Sequence, residues 1–197
     1  MKFALINGDK TEATKGANGF CPNCGSELIA KCGENRVNHW SHKGRLNCDP
    51  WWENETDWHR SWKNNFPKEW QEVIHTDVVS GEKHIADVKT DSDWVLEFQH
   101  SHIKPEERRS RNAFYPKLVW VIDGIRRQRD KPKFYRILEE YGLRNEDPRF
   151  KRIIGPDDCA LIKEWHESNA LVFFDFQDLD GENQSILQAI QLKCWLF

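Results

Sequence analysis

Two neighbouring segments restrict this chain more than any other feature. His84-Ile85-Ala86-Asp87-Val88-Lys89 and Trp94-Val95-Leu96-Glu97-Phe98-Gln99 each have the β-branched and apolar content of a strand, and Thr90-Asp91-Ser92-Asp93 between them reads as a turn. Side chains alternate across a strand, so Glu97 and Gln99 share a face. If the strands pair, Asp87 joins them on that face. Two carboxylates converging on a sheet suit a hard divalent cation such as Mg2+. A cation held there can polarise a phosphate and activate water.

Further motifs stand in order around this pair. Upstream are Cys21-Pro22-x-Cys24, His39-x-x-His42, Cys48 and His59-x-x-x-Lys63. Around and after it come Ala86-Asp87-Val88, Glu97-Phe98-Gln99-His100-Ser101, Arg111-x-x-x-Tyr115 and the apolar run Leu118–Ile122. This series, across residues 18–124, resembles the competence protein CoiA-like family of PD-(D/E)xK nucleases, which have a restriction-endonuclease-like fold. The resemblance implies a Mg2+- or Mn2+-dependent phosphodiester hydrolase acting on DNA. Asp87 and Glu97 would be metal ligands, with the Phe98 backbone carbonyl as a third. Gln99 stands where the general signature of these nucleases has Lys, a substitution the CoiA-like family shares. A glutamine can orient water but carries no charge. Lys63 and Lys89 are the candidates for the missing cation, and the resemblance supports Lys63 better. Glu55, His59 and Lys63 recur every four residues on one helix stripe; one reading has Glu55 hold the imidazole or reach a second metal, and the other is an ordinary i,i+4 pair on the helix surface. Ser101, Arg111 and Tyr115 match family positions, and Arg108 shares a helix stripe with Arg111 and Tyr115. Phosphate contact is one reading of these four, and a buried Arg with Tyr stacked on it is the other.

Cys21-x-x-Cys24 followed by Gly25 has the form of a metal knuckle, in which a tight turn aims both thiolates at one point. The remaining ligands of a tetrahedral Zn2+ site must come from Cys32, His39, His42 and Cys48. The resemblance favours one His of the His39/His42 pair together with Cys48, and His42 and Cys48 are the expected ligands. The segment is poor in apolar residues, so the metal is expected largely to replace a core.

Charge does not mark the whole chain as a polyanion binder, because its net charge is −3. Locally the picture differs. Residues 125–133 carry five cations against Asp130, and residues 104–117 carry Lys104, Arg108, Arg109, Arg111 and Lys117 against Glu106 and Glu107. Both stretches are candidate phosphate contacts. The chain has 197 residues, 38% hydrophobic, with ten Trp, which argues for a folded globule over disorder. Met1–Ile6 is too short an apolar run for a signal peptide, and no stretch approaches the ~20 apolar residues of a membrane span. A soluble cytoplasmic protein is the expectation.

The expected architecture is α/β: a restriction-endonuclease-like mixed sheet flanked by helices, with a small N-terminal zinc-ribbon-like module. The expected boundaries are 1–50 for the zinc module, 51–124 for the nuclease core and 125–197 for an extension packing on it. A helix is expected over 54–66, capped by Asn54 or Thr56, with Trp58, Trp62 and Phe66 as its buried stripe. Strands follow near 70–79, 82–90 and 93–100. Pro105 opens a helix to about Phe114, and Leu118–Ile122 reads as a buried parallel strand. Phe134, Ile137, Leu138 and Tyr141 mark a third helix stopped by Gly142, Ala170–Phe174 a strand, and Asp180-Gly181 a turn. Residues 185–197 fit helix or strand equally. The expected function is DNA hydrolysis in DNA uptake, recombination or defence against foreign DNA; the residues do not separate DNA from RNA. The rival readings are a non-catalytic nucleic-acid-binding protein with a degenerate nuclease core, and a small interaction protein.

Overall fold

A computed structural model describes residues 1–44, 48–51, 53–140, 142–144, 151–153, 159–179 and 185–190. The chain forms two compact units, Met1–His100 and Ser101–Phe197.

The first unit begins with a five-stranded antiparallel sheet. Its strands are β1 (Phe3–Ile6), β2 (Asp9–Glu12), β3 (Asn18–Phe20), β4 (Glu27–Gly33) and β5 (Arg36–His42), in the order β2-β1-β3-β4-β5. Asn7 and Gly8 join β1 to β2 with φ of 53° and 91°, the left-handed pair that a two-residue hairpin needs. Gly19 in β3 lies so close to β1 that a Cβ there would meet Ala4 Cβ at 2.9 Å. These short strands alternate too briefly to be read from the sequence. Contrary to the expectation that metal would replace a core, Met1, Ala4, Ala13, Cys21, Leu28 and Trp40 form a buried cluster. The indole Nε1 of Trp40 donates to the Thr11 carbonyl at 2.8 Å, so its one polar atom is satisfied.

Helix α1 (Asp57–Asn64) follows, then a single 3-10 turn over Lys68–Trp70, and then β6 (Gln71–Thr76), β7 (Lys83–Lys89) and β8 (Val95–Gln99). Thr56 caps α1 in a reciprocal capping box with His59. Both β6–β7 and β7–β8 pair antiparallel. The pairs Gln71↔Val88 and Val73↔Ala86 bracket Glu72 and Asp87, and Val88↔Leu96 puts Glu97 in step with Asp87. Three acids therefore form one row across three strands.

The buried residues of α1 are His59 and Lys63, not the aromatic stripe expected from the sequence. Trp58, Trp62 and Phe66 are half-buried, with their rings 6.3, 5.7 and 6.3 Å from that of Phe98. The physical reason is that acids surround the Lys63 ammonium, and this ionic contact draws the polar stripe inward.

The second unit contains α2 (Pro105–Phe114), β9 (Leu118–Asp123), α3 (Asp130–Glu140), β10 (Gly142–Arg144), β11 (Lys151–Ile153), α4 (Ala160–Trp165), β12 (Leu171–Leu179) and β13 (Ser185–Ile190). Pro105 opens α2 with Glu106 and Glu107 in its first turn, as the sequence indicates. β9 runs parallel to β12, and β12 pairs antiparallel with β13. Trp120, Phe134, Trp165, Phe174 and Phe176 fill its core. A Cβ on Gly124 would meet the Phe176 ring at 2.5 Å, so the chain leaving β9 requires glycine there. The fold is mixed α/β, with a small N-terminal Cys/His-bearing module, as expected. No helix among the described residues is long and apolar enough to cross a membrane. Residues 185–190 are strand; Tyr141, Asp180-Gly181 and 191–197 lie outside the described residues.

Candidate functional site

The N-terminal sheet brings Cys21, Cys24, His42 and Cys48 together, with their ligand atoms all within 4.8 Å of one another. Cys21 Sγ lies 3.7 Å from Cys48 Sγ, and Cys24 Sγ lies 3.3 Å from His42 Nε2. Two thiolates at about 2.3 Å from a tetrahedral zinc stand about 3.8 Å apart, so the spacing fits that ion. Gly25, at φ 71°, supplies the turn after Cys24. Burial alone would raise the Cys24 thiol, but hydrogen bonds from Ser26 and His42 outweigh it and lower its pKa to about 6. Burial pushes the Cys48 thiol up to about 12. The two other ligands left open by the sequence are engaged elsewhere: Cys32 Sγ meets the Ala13 carbonyl at 3.7 Å and His39 Nδ1 meets that of Val37 at 2.8 Å.

One residue beyond Cys48, buried Asp49 binds strand β7. Its Oδ2 accepts from the Ile85 N–H at 2.8 Å, and its Oδ1 lies 2.9 Å from His84 Nδ1. Trp51 stacks on the His84 ring, so this indole is a packing element. Trp52 lies outside the described residues.

The acidic row lies under α1. Asp87 and Glu97 are laced together through backbone: Asp87 Oδ2 accepts from the Phe98 N–H at 3.0 Å, and Glu97 Oε1 accepts from the Asp87 N–H at 3.4 Å. The Asp87 side chain is 25% exposed, while Glu72, Glu97, Phe98 and Gln99 are buried, so the row opens to solvent at Asp87, its middle member. Lys63 Nζ sits among three carboxylates, 2.9 Å from Glu55, 3.0 Å from Glu72 and 3.7 Å from Asp87. Burial would lower the Lys63 pKa, but Glu72, Asp87 and Glu55 together raise it well above the usual lysine range. Burial likewise works against ionised Glu72, yet Lys63 and the backbone N–H groups of Lys2 and Phe3 lower its pKa to about 2. Glu55 is also held below its ordinary value, burial being outweighed by Lys63 and Arg60.

Glu55 does not hold His59, contrary to one of the two readings. It precedes α1 and takes a bidentate pair from Arg60, at 3.0 Å on each oxygen, as well as Lys63. The carboxylate beside the imidazole is Glu53, whose Oε2 lies 3.8 Å from His59 Nε2 and accepts from Gln99 Nε2 at 2.7 Å. The Thr56 N–H donates to His59 Nδ1 at 3.3 Å. Nδ1 is therefore the acceptor nitrogen, and in the neutral ring the proton is on Nε2. Nε2 is buried and makes no hydrogen bond among the described residues. Lys89 pairs instead with Asp93 at 3.2 Å near the surface.

Glu53 and Glu72 are the two members of this group that the motif reading does not single out. The signal for Glu72 is the register: extending the Asp87–Glu97 pairing to one further strand reaches it. Glu53 has no such signal, since its place depends on how the chain enters α1.

Ser101, Arg108, Arg111 and Tyr115 belong to the second unit. Ser101 is exposed, and its carbonyl accepts from Arg126. The other three are buried. Arg108 lies over the Trp165 ring at 5.6 Å, Arg111 pairs with Glu107 at 2.5 Å and lies over Trp120, and Tyr115 meets Phe114 edge-on. Of the two readings of these side chains, their burial matches the structural one.

Residues 6–50 match the family described as competence protein CoiA, N-terminal domain. No match was found among curated proteins or among solved structures. The matched segment contains all four members of the Cys/His cluster, and the segment whose side chains could hold a zinc ion is thus similar to the N-terminal domain of CoiA.

Proposed function

We propose that the first unit carries a divalent-metal-dependent nuclease centre, in a protein whose role relates to competence. The observation that carries this reading is the row Glu72, Asp87, Glu97 with the Lys63 ammonium seated over it. Asp87 and Glu97 would hold Mg2+ or Mn2+. The donor set fits, because Mg2+ is usually bound through one or two carboxylates and keeps several waters. Bound there, the cation supplies Lewis-acid polarisation of a phosphate oxygen and a more acidic water. The rest falls to the chain's own groups. Lys63, held charged by its neighbours, supplies the ammonium that Gln99 lacks and balances charge growing on the phosphoryl oxygens. His59 Nε2–H makes no hydrogen bond among the described residues and is placed to donate to a phosphate oxygen. Gln99, oriented by Glu53, positions water. Phosphate contact outside the centre falls to exposed cations of the two basic stretches, including Lys104, Arg109, Arg127 and Arg129.

The test is to incubate pure protein with single- and double-stranded DNA and RNA, with Mg2+, Mn2+ or chelator. Metal-dependent cleavage that Asp87→Ala abolishes is the expected result. A second reading has its own observation: Lys63 already neutralises part of the acidic row, as it would in a nucleic-acid-binding protein that has lost catalysis. Tight DNA binding without cleavage under any metal favours that reading.

A further inference from the structure

We propose that Glu72 is the positioning residue of this centre: anchored by the backbone of β1, it holds the Lys63 ammonium in place against Asp87. This inference rests on the nuclease reading above. Glu72 is 5% exposed and lies at the start of β6 with φ 48°. That left-handed conformation is rare for a residue other than Gly, Asn or Asp. It persists here because the side chain is fixed from two sides. Oε1 accepts from the Lys2 N–H at 2.6 Å and Oε2 from the Phe3 N–H at 2.9 Å. Lys63 Nζ donates to Oε1 at 3.0 Å from the opposite side.

The same junction is closed by side chains. Lys2 Nζ donates to Gln71 Oε1 at 2.7 Å and also to Asn64, at the end of α1. Lys10 Nζ donates to the Gln71 carbonyl at 2.6 Å. The N-terminal sheet therefore grips both the start of β6 and the end of the helix that carries Lys63. Glu72 touches no substrate in this account; it acts through Lys63. The N-terminal sheet is then part of the catalytic apparatus, although Glu53, His59, Lys63, Asp87, Glu97 and Gln99 all lie outside it.

Glu72→Gln preserves size but offers one acceptor oxygen where β1 and Lys63 need two. Glu72→Gly removes the carboxylate and accepts the left-handed backbone without strain. The experiment measures kcat and KM of the full chain for both variants, for Lys63→Met and for the doubles. Each Glu72 variant should lose about 10–100-fold in kcat, as when the partner that orients an active group is removed, with KM within about twofold. In the Lys63→Met background the same changes should cost less than about twofold more, because residues acting as one unit are non-additive. A Glu72→Gly protein cutting at the wild-type rate, or losses that multiply, would overturn the inference while leaving the nuclease reading intact. Wild-type protein that cuts nothing overturns both.

Discussion

Lys63 Nζ stands 3.7 Å from Asp87 Oδ1, whereas Lys89, two residues along the same strand as Asp87, turns to Asp93 at 3.2 Å. Sequence leaves both lysines open as the cation that replaces the usual signature residue; geometry separates them. Lys63→Ala should lower the cleavage rate by about 2–4 kcal/mol in activation free energy, the worth of one preorganised electrostatic group. Lys89→Ala should cut at nearly the wild-type rate. Single-turnover kinetics of both variants check this. Lys63→Ala also leaves buried Glu55 and Glu72 short of a cation, so urea unfolding should register a loss of about 3–5 kcal/mol.

The ionisation of Glu72 gives a pH dependence of defined sign. Its pKa lies near 2 in the folded chain against an ordinary value of 4.5. The stabilisation is complete above pH 4.5 and is lost as pH falls towards 2, because the unfolded chain binds the proton first. The amount at neutral pH is on the order of 3 kcal/mol. Lys63 contributes in the opposite direction: its raised pKa stabilises the fold below the ordinary 10.5 and the effect fades only at higher pH. Urea unfolding of wild type and Glu72→Gln between pH 3 and 7 should show a shallower slope in the variant below pH 4.5.

Zinc content tests the N-terminal cluster. Metal analysis of protein purified without chelator should find about one zinc per chain, the stoichiometry of a closed four-ligand site. Cys48→Ser should lower zinc affinity, and Cys32→Ser and His39→Ala should not, because those two side chains bond to backbone carbonyls outside the cluster. Chelation should lower the Tm of the wild type, since Asp49, next to Cys48, binds strand β7 at Ile85. Retention of zinc by Cys48→Ser would implicate a different ligand set.

Much of this arrangement is legible in the sequence. The β7–β8 hairpin follows from two apolar runs around a polar turn, and its register follows from the alternation that places Asp87 with Glu97. Pro105 marks the start of α2 because proline suits the first turn of a helix. Cys21-x-x-Cys24 is legible because a two-residue spacing has few other uses. The N-terminal strands are not: Asp9–Glu12 and Asn18–Phe20 are short and lack a continued period, and Gly19 is needed for a contact across strands that no local pattern displays. The α1 stripe misleads because hydrophobicity ranks Trp above Lys, whereas here three carboxylates draw Lys63 in. Glu72 and Glu53 take their roles from residues far along the chain.

The most direct test of the catalytic account is the effect of Asp87→Asn on metal-dependent cleavage, read together with DNA binding by the same protein. Asparagine keeps the shape and the hydrogen-bonding oxygen facing the Phe98 N–H, but removes the charge that a cation requires. The account expects wild type to cut with Mg2+ or Mn2+ and to stop with chelator, and Asp87→Asn to bind DNA as tightly without cutting. Undiminished cleavage by folded Asp87→Asn, free of contaminating nuclease, would contradict it.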